Sequence, residues 1–176
     1  MSLKDKMMPM ITEEEIQKMT AEICREIEED FEGEEVILLC PLKGSCFFIA
    51  DFMRELKLSQ SVDFVHLSNK NLSTGERGGD IKILKDLSSD VAGKNVIIVE
   101  EIIDTGRTLS FLKNRVLASG PKSLKIVTLL DKPARRVISI KPDYTGKTIE
   151  DRYVVGYGMD EDEIGRNYRE IYHLKN

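Results

Sequence analysis

Glu100 and Glu101 are followed, after two residues, by Asp104-Thr105-Gly106-Arg107-Thr108, so that carboxylates, hydroxyls and a glycine turn fall within one short run. The two halves of the run suit different chemistry. Adjacent carboxylates accept hydrogen bonds from a diol and can hold a hydrated divalent cation. An Asp-Thr-Gly turn that opens a helix offers an anion two hydroxyls and a row of backbone N–H donors, with the glycine permitting the tight path. A ligand with a phosphate at one end and hydroxyl donors at the other, such as a sugar phosphate, satisfies both halves.

The elements around the run support that reading. Val96-Ile97-Ile98-Val99 is β-branched and apolar throughout, as expected of a strand buried on both faces of a parallel sheet. The acids then stand at its carboxyl end, where open α/β sheets bind ligands and where the next helix, expected over 108–119, points its amino terminus. Gly120-Pro121 stops that helix. A hydrophobic strand, two acids, two further residues and Asp-Thr-Gly-x-Thr together resemble the phosphoribosyltransferase signature for 5-phosphoribosyl-1-pyrophosphate (PRPP). The resemblance implies that Glu100 and Glu101 hold the ribose hydroxyls and a metal. It implies that Thr105, Gly106, Arg107 and Thr108 grip the 5′-phosphate, and that Asp104, in the same cradle, is the general acid/base beside purine N7.

Three other stretches fit the same resemblance. Leu42-Lys43-Gly44-Ser45 follows an apolar strand over 36–40 and precedes a helix over 46–56. By itself it is a helix start with an exposed lysine; the resemblance implies that Leu42, Lys43 and Gly44 touch pyrophosphate, with a non-proline cis peptide at Leu42–Lys43. Lys132 follows a strand over 124–130 and so points into the same crevice. The resemblance implies that it donates to the exocyclic oxygen of a 6-oxopurine, and an ammonium, being a donor only, suits a keto oxygen and rejects adenine's amino group. In Arg152-Tyr153-Val154-Val155-Gly156-Tyr157-Gly158-Met159-Asp160, the resemblance makes Tyr153 the ring stacked on the purine and Val154 the backbone reader of its edge. Asp160 then ligates a pyrophosphate-bound magnesium, and Arg166 contacts pyrophosphate oxygens. Read without the family, Tyr153 is a core aromatic and Asp160 a loop acid. The chain departs from the family pattern twice: Glu101 stands where an aspartate is usual, and Ser68-Asn69-Lys70 replaces the Ser-Tyr pair of the closing loop.

The organisation predicted is a single domain over 1–176, α/β in class: a parallel sheet flanked by helices on both faces, with a small hood. Thr12-Glu13-Glu14-Glu15 reads as a capping box ahead of Ile16, Met19, Ile23 and Ile27 at helical spacing. A strand over 62–67 leads into a polar mobile loop over about 68–80, and residues 81–84 can pair as a strand. From Lys132 onward the pattern breaks into β-like pieces at 137–140, 144–149 and 153–155, interrupted by Pro142 and Gly146. These are expected to form an antiparallel hood over about 137–176.

Composition narrows the classes. With 176 residues, 41% apolar and 32% charged, the chain has the make-up of a globular domain, and no apolar run approaches the ~20 residues of a membrane span. A net charge of −5 argues against nonspecific nucleic-acid binding. Cys24, Cys40 and Cys46 show no CxxC spacing and read as reduced, mostly buried thiols, while His66 and His173 have no zinc-site context. Residues 1–11 lack an apolar signal core, so a cytoplasmic protein is expected. The resemblance implies a magnesium-dependent enzyme of purine salvage that moves phosphoribose from PRPP to N9 of hypoxanthine, and of guanine, giving IMP or GMP and pyrophosphate. It also implies a homodimer or homotetramer. The alternatives are a non-catalytic PRPP sensor and a transferase for another base such as xanthine.

Overall fold

In the computed structural model, which describes residues 3–70 and 77–175, β1 (Met7–Ile11) leads to α1 (Glu13–Asp30), β2 (Val36–Leu42), α2 (Cys46–Glu55), β3 (Gln60–Lys70) and β4 (Arg77–Lys85). There follow β5 (Asn95–Ile103), α3 (Arg107–Leu117), β6 (Ser123–Asp131), β7 (Tyr144–Thr148), β8 (Val154–Val155) and β9 (Ile171–Leu174). Six strands form one sheet in the order β4-β3-β2-β5-β6-β7, and a second sheet has the order β1-β9-β8.

The unbroken apolar strands lie in the middle of the large sheet because both of their faces are covered. Leu38, Cys40, Ile97 and Val99 pack with Ile16 and Ile23 of α1 and Phe48 and Phe52 of α2. Their neighbours Ile37, Leu39, Val96 and Ile98 point the other way, against Leu109, Leu112 and Val116 of α3. The capping box predicted at Thr12 and Glu15 is present in both directions. The two helix layers therefore clamp the sheet and fix the carboxyl ends of β2, β5 and β6 relative to one another.

Several expectations are corrected. The sheet is not wholly parallel, because β3 and β4 pair antiparallel, with Lys70 opposite Arg77. A hairpin returns directly and needs no crossover. The loop expected over 68–80 is accordingly shorter: residues 68–70 belong to β3 and 77–80 to β4, and only 71–76 lie outside the described residues. Backbone pairing takes in polar residues there because the ladder bonds do not depend on side chains. Residues 144–148 do not join the hood either; β7 pairs parallel with β6 as the edge of the main sheet. Residues 137–140 form no strand, since the N–H groups of Val137 and Ile138 both donate to Thr105 O, at 3.0 and 3.1 Å. The hood is instead the antiparallel sheet of β1, β9 and β8, whose Ile11, Val154 and Ile171 are buried in the same core as α1 and α2.

Candidate active site

A cleft of about 700 Å³ opens where β2, β5 and β6 end. Leu42 lines it from the end of β2, Lys43 and Gly44 from the loop that follows, the whole run from Glu100 to Thr108 from β5 and the start of α3, Lys132 just after β6, and Tyr153, Val154 and Asp160 from the hood side. Among the residues expected in the site, Arg166 alone does not line this cleft. A smaller hollow of about 370 Å³ lies at the opposite ends of the strands, near Glu34, Gln60 and Lys122, and contains none of this chemistry.

The two acids are tied together by the last residue of the Leu42-Lys43-Gly44-Ser45 stretch, a contact the sequence did not suggest. Ser45 is fully buried, and its hydroxyl lies 3.2 Å from Glu100 Oε1 and in shorter contact with Glu101 Oε2. It also accepts the Glu101 N–H at 3.3 Å. One hydroxyl proton thus serves two carboxylates. Glu101 folds back over Gly44 so closely that a Cβ there would lie 1.8 Å from Glu101 Oε1. Burial lifts the Glu100 carboxyl well above the usual carboxylate range, the neighbouring Glu101 adds to this, and the Ser45 hydroxyl partly offsets it. A cation would relieve such a pair. Among the described residues no three His, Cys, Asp or Glu side chains gather as a cage. Magnesium does not require one, because it keeps several waters and takes one or two carboxylates together with substrate phosphates.

The Asp-Thr-Gly turn is shaped from two sides. Gly106, the residue capping α3, has φ +79°, and a Cβ there would meet Ile140 Cγ2 at 2.7 Å. The strap from 137 to 140 hangs on Thr105 O, while Arg136 donates to Asp104 O at 2.6 Å and contacts the Asp131 carboxylate. The turn is held from behind in this way, and the first-turn N–H groups of α3, which have no intrahelical acceptors, face the cleft as an anion site. The Arg107 N–H makes only a long contact to Thr105 Oγ1, at 3.4 Å.

Next to the cradle, Asp104 Oδ1 is buried, makes no hydrogen bond, and lies 3.5 Å from both Lys132 Nζ and Arg135 Nε. Lys132 is only 6% exposed; its ammonium donates to Arg152 O at 3.3 Å and approaches Asp151 Oδ1 at 3.9 Å. Arg135 bridges the same two aspartates, reaching Asp151 at 3.9 Å. Tyr153 is exposed at the cleft and donates its hydroxyl to Asp160 O at 3.0 Å, whereas Val154 is buried beneath it.

The pyrophosphate candidates are arranged differently from expectation. The Leu42–Lys43 peptide is cis, as the resemblance implied. Lys43 Nζ is bonded to Glu163 Oε2 at 3.1 Å. Arg166 contacts the same oxygen at 3.2 Å, Asp160 Oδ1 at 2.9 Å, and Gly158 O at 2.7 Å. Lys43 and then Arg166 hold the Glu163 carboxyl below its usual range. Sequence reasoning missed Ser45, Arg135, Asp151 and Glu163 as members of the site. Ser45 stood in a turn already under attention and Arg135 beside Lys132, so position could have found both. Glu163 has a local partner in Arg166, three residues on, but its pairing with Lys43, 120 residues away, leaves no mark in the local sequence.

Comparison with known proteins points the same way. The phosphoribosyl transferase domain family matches residues 10–162. The chain is 43% identical over 166 residues to a hypoxanthine phosphoribosyltransferase of Escherichia coli (strain K12), spanning 92% of this chain and 90% of that protein. It is 39% identical over 166 residues to a hypoxanthine-guanine phosphoribosyltransferase of Staphylococcus aureus, spanning 94% and 92% respectively. Its fold is similar to the crystal structure of a hypoxanthine-guanine phosphoribosyltransferase from Bacillus anthracis, with a TM-score of 0.87, 43% identity, and coverage of 96% of this chain and 97% of that one.

Proposed function

This chain belongs to the phosphoribosyl transferase family, and on that premise we propose that it transfers the 5-phosphoribosyl group of PRPP to N9 of a 6-oxopurine, hypoxanthine and also guanine, in purine salvage. The products are IMP or GMP and pyrophosphate. The observation that carries this reading is the placement of Asp104 Oδ1, which makes no hydrogen bond and lies 3.5 Å from the Lys132 ammonium, at the mouth of the phosphate turn. Lys132 and Arg135 balance its charge from 3.5 Å without donating a hydrogen bond, which leaves the oxygen able to accept one from a ligand. A purine whose exocyclic oxygen accepts from Lys132 brings its N7–H within reach of Asp104.

In this mechanism N9 attacks C1′, the C1′–oxygen bond to pyrophosphate breaks, and the electron pair leaves with pyrophosphate. Asp104 takes the N7 proton as N9 gives up its lone pair. The turn from Thr105 to Thr108 holds the 5′-phosphate, and Glu100 and Glu101 hold the ribose hydroxyls. Lys43, Gly44 and Arg166 serve the leaving group, and Tyr153 stacks on the base with Val154 reading its edge. Glu100 and Glu101 on one side, and Asp160 on the other, are hard oxygen donors that would hold magnesium. When bound, the metal draws off the charge that develops on pyrophosphate. A homodimer or homotetramer belongs to the same reading, and light scattering would test it.

The test is magnesium-dependent pyrophosphate release from PRPP with hypoxanthine, guanine, xanthine and adenine in turn, for the wild type and for Asp104→Asn. Turnover with hypoxanthine or guanine and not adenine, with a loss of about 10²–10⁴-fold in the variant, is expected. PRPP binding without turnover on any base would instead favour a sensor.

A further inference from the structure

Lys43 and Arg166, the two cations assigned above to pyrophosphate, already share an anion supplied by the chain itself. A single oxygen, Glu163 Oε2, lies 3.1 Å from Lys43 Nζ and 3.2 Å from an Arg166 nitrogen. The backbone is bent to put it there. Asp162 and Glu163 both take left-handed conformations, at φ +48° and +69°, which a glutamate rarely adopts. The Glu163 N–H is anchored on Asp160 Oδ2 at 2.9 Å, while Asp160 Oδ1 pairs with Arg166 at 2.9 Å. Glu163 is therefore fastened at its backbone by Asp160 and at its carboxylate by the two cations. Its side chain remains 51% exposed, so the carboxylate can turn into solvent without stranding a buried charge.

We infer that Glu163 is a stand-in for pyrophosphate: its carboxylate occupies the two cations in the empty site, yields them to the diphosphate of PRPP, and recaptures them as pyrophosphate leaves. The inference rests on the assignment of Lys43 and Arg166 to pyrophosphate. An arriving diphosphate competes with Glu163 for the same donors, and a carboxylate left beside a bound polyanion repels it. Both effects lower the affinity of the site for its most highly charged ligand. They also keep Lys43 and Arg166 pointed at the position where that ligand arrives. Glu163 is thus a positioning residue that sets the balance between holding the leaving group and releasing it.

Calorimetric titration of the full chain with inorganic pyrophosphate in excess magnesium tests this, for the wild type, Glu163→Gln, Lys43→Gln, and the double variant. Glu163→Gln keeps the shape of the side chain and removes its charge. It is expected to bind pyrophosphate about three- to tenfold more tightly, the range set by relief of two exposed ion pairs. KM for PRPP should fall in parallel while KM for the base stays unchanged. In the Lys43→Gln background most of the gain should vanish, because one of the contested donors is gone. Glu163→Asp, with the charge retained, should return towards the wild type. If Lys43→Gln weakens pyrophosphate binding while Glu163→Gln leaves it equal or weaker, the stand-in role is overturned and the site assignment stands. If Lys43→Gln has no effect on pyrophosphate, the assignment itself falls, and the inference with it.

Discussion

Replacing Gly158 with alanine tests how tightly the hood is set against the loop after β2. Gly158 has φ +100°, and a Cβ built on it would lie 1.8 Å from Gly44 O and 2.9 Å from Gly44 C. Ordinary contact begins near 3.4 Å, so the two backbones must part by about 1.6 Å. Neither is free to do so. Gly158 is bonded through its N–H to Arg166 O at 2.9 Å and through its carbonyl to the Arg166 guanidinium at 2.7 Å, while Gly44 lies under the Glu101 carboxylate. The left-handed backbone costs alanine about 1–2 kcal/mol, and the forced separation about 1–3 kcal/mol. Together these predict a fall in Tm of roughly 5–15 °C for a chain of this size. Because Lys43 and Asp160 move apart with the two glycines, kcat/KM for PRPP should drop about 10²-fold. Gly93→Ala is the control: φ is +68° there, but nothing lies within 4 Å. Scanning calorimetry should show only the conformational loss at Gly93, and pyrophosphate release should be unaffected. Equal Tm and equal kcat/KM for the two variants would refute the close-approach argument.

Glu101→Asp is expected to keep or improve PRPP affinity, because a shorter acid withdraws its carboxylate from above Gly44; a clear loss on titration would count against the ribose assignment. Asp63→Asn addresses stability. Burial works to raise the Asp63 carboxyl, but the N–H groups of Ser89, Ser88 and Phe64, with Lys85, hold it below its usual range. A depressed folded-state value gives stability that is fully present above the unfolded value of about 3.9 and is lost as pH falls through the folded one. Asp63→Asn should therefore lower stability by about 2–3 kcal/mol at pH 7. In urea melts the gap to the wild type should narrow steadily below about pH 4; a gap independent of pH would remove the charge from the explanation.

The chemistry was legible where it was local. Val96 to Thr108 carries strand, acids and turn in one run, and everything in it from Glu100 onward lines the cleft. What escaped was set by partners distant in sequence. Gly146 reads as a strand breaker, yet a Cβ there would lie 2.6 Å from Leu129 O, so the glycine is what lets β7 pair closely with β6. Pro9 disguises β1, whose partner β9 lies at the other end of the described chain. Val137, Ile138 and Ile140 have strand-forming side chains, but the N–H groups of Val137 and Ile138 are taken by Thr105 O. Ser45 meets Glu100 and Glu101 across 55 and 56 residues and Glu163 meets Lys43 across 120, distances over which no window of sequence shows which partner a side chain takes.

The pairing of β1 with β9 also bears on how the protein is made. Met7 lies opposite Leu174, so the small sheet joins one of the earliest described segments to leave the ribosome with one of the latest. The large sheet holds no such constraint: by the time β7 emerges, every strand around the Asp104–Thr108 turn has been synthesised. β8, which contains Val154 and directly follows Tyr153, has β9 as its only strand neighbour in the small sheet. The Asp104–Thr108 side of the cleft can thus be folded while translation is still under way, whereas the Tyr153–Val154 side is secured only when β9 arrives and closes a contact of very long sequence separation.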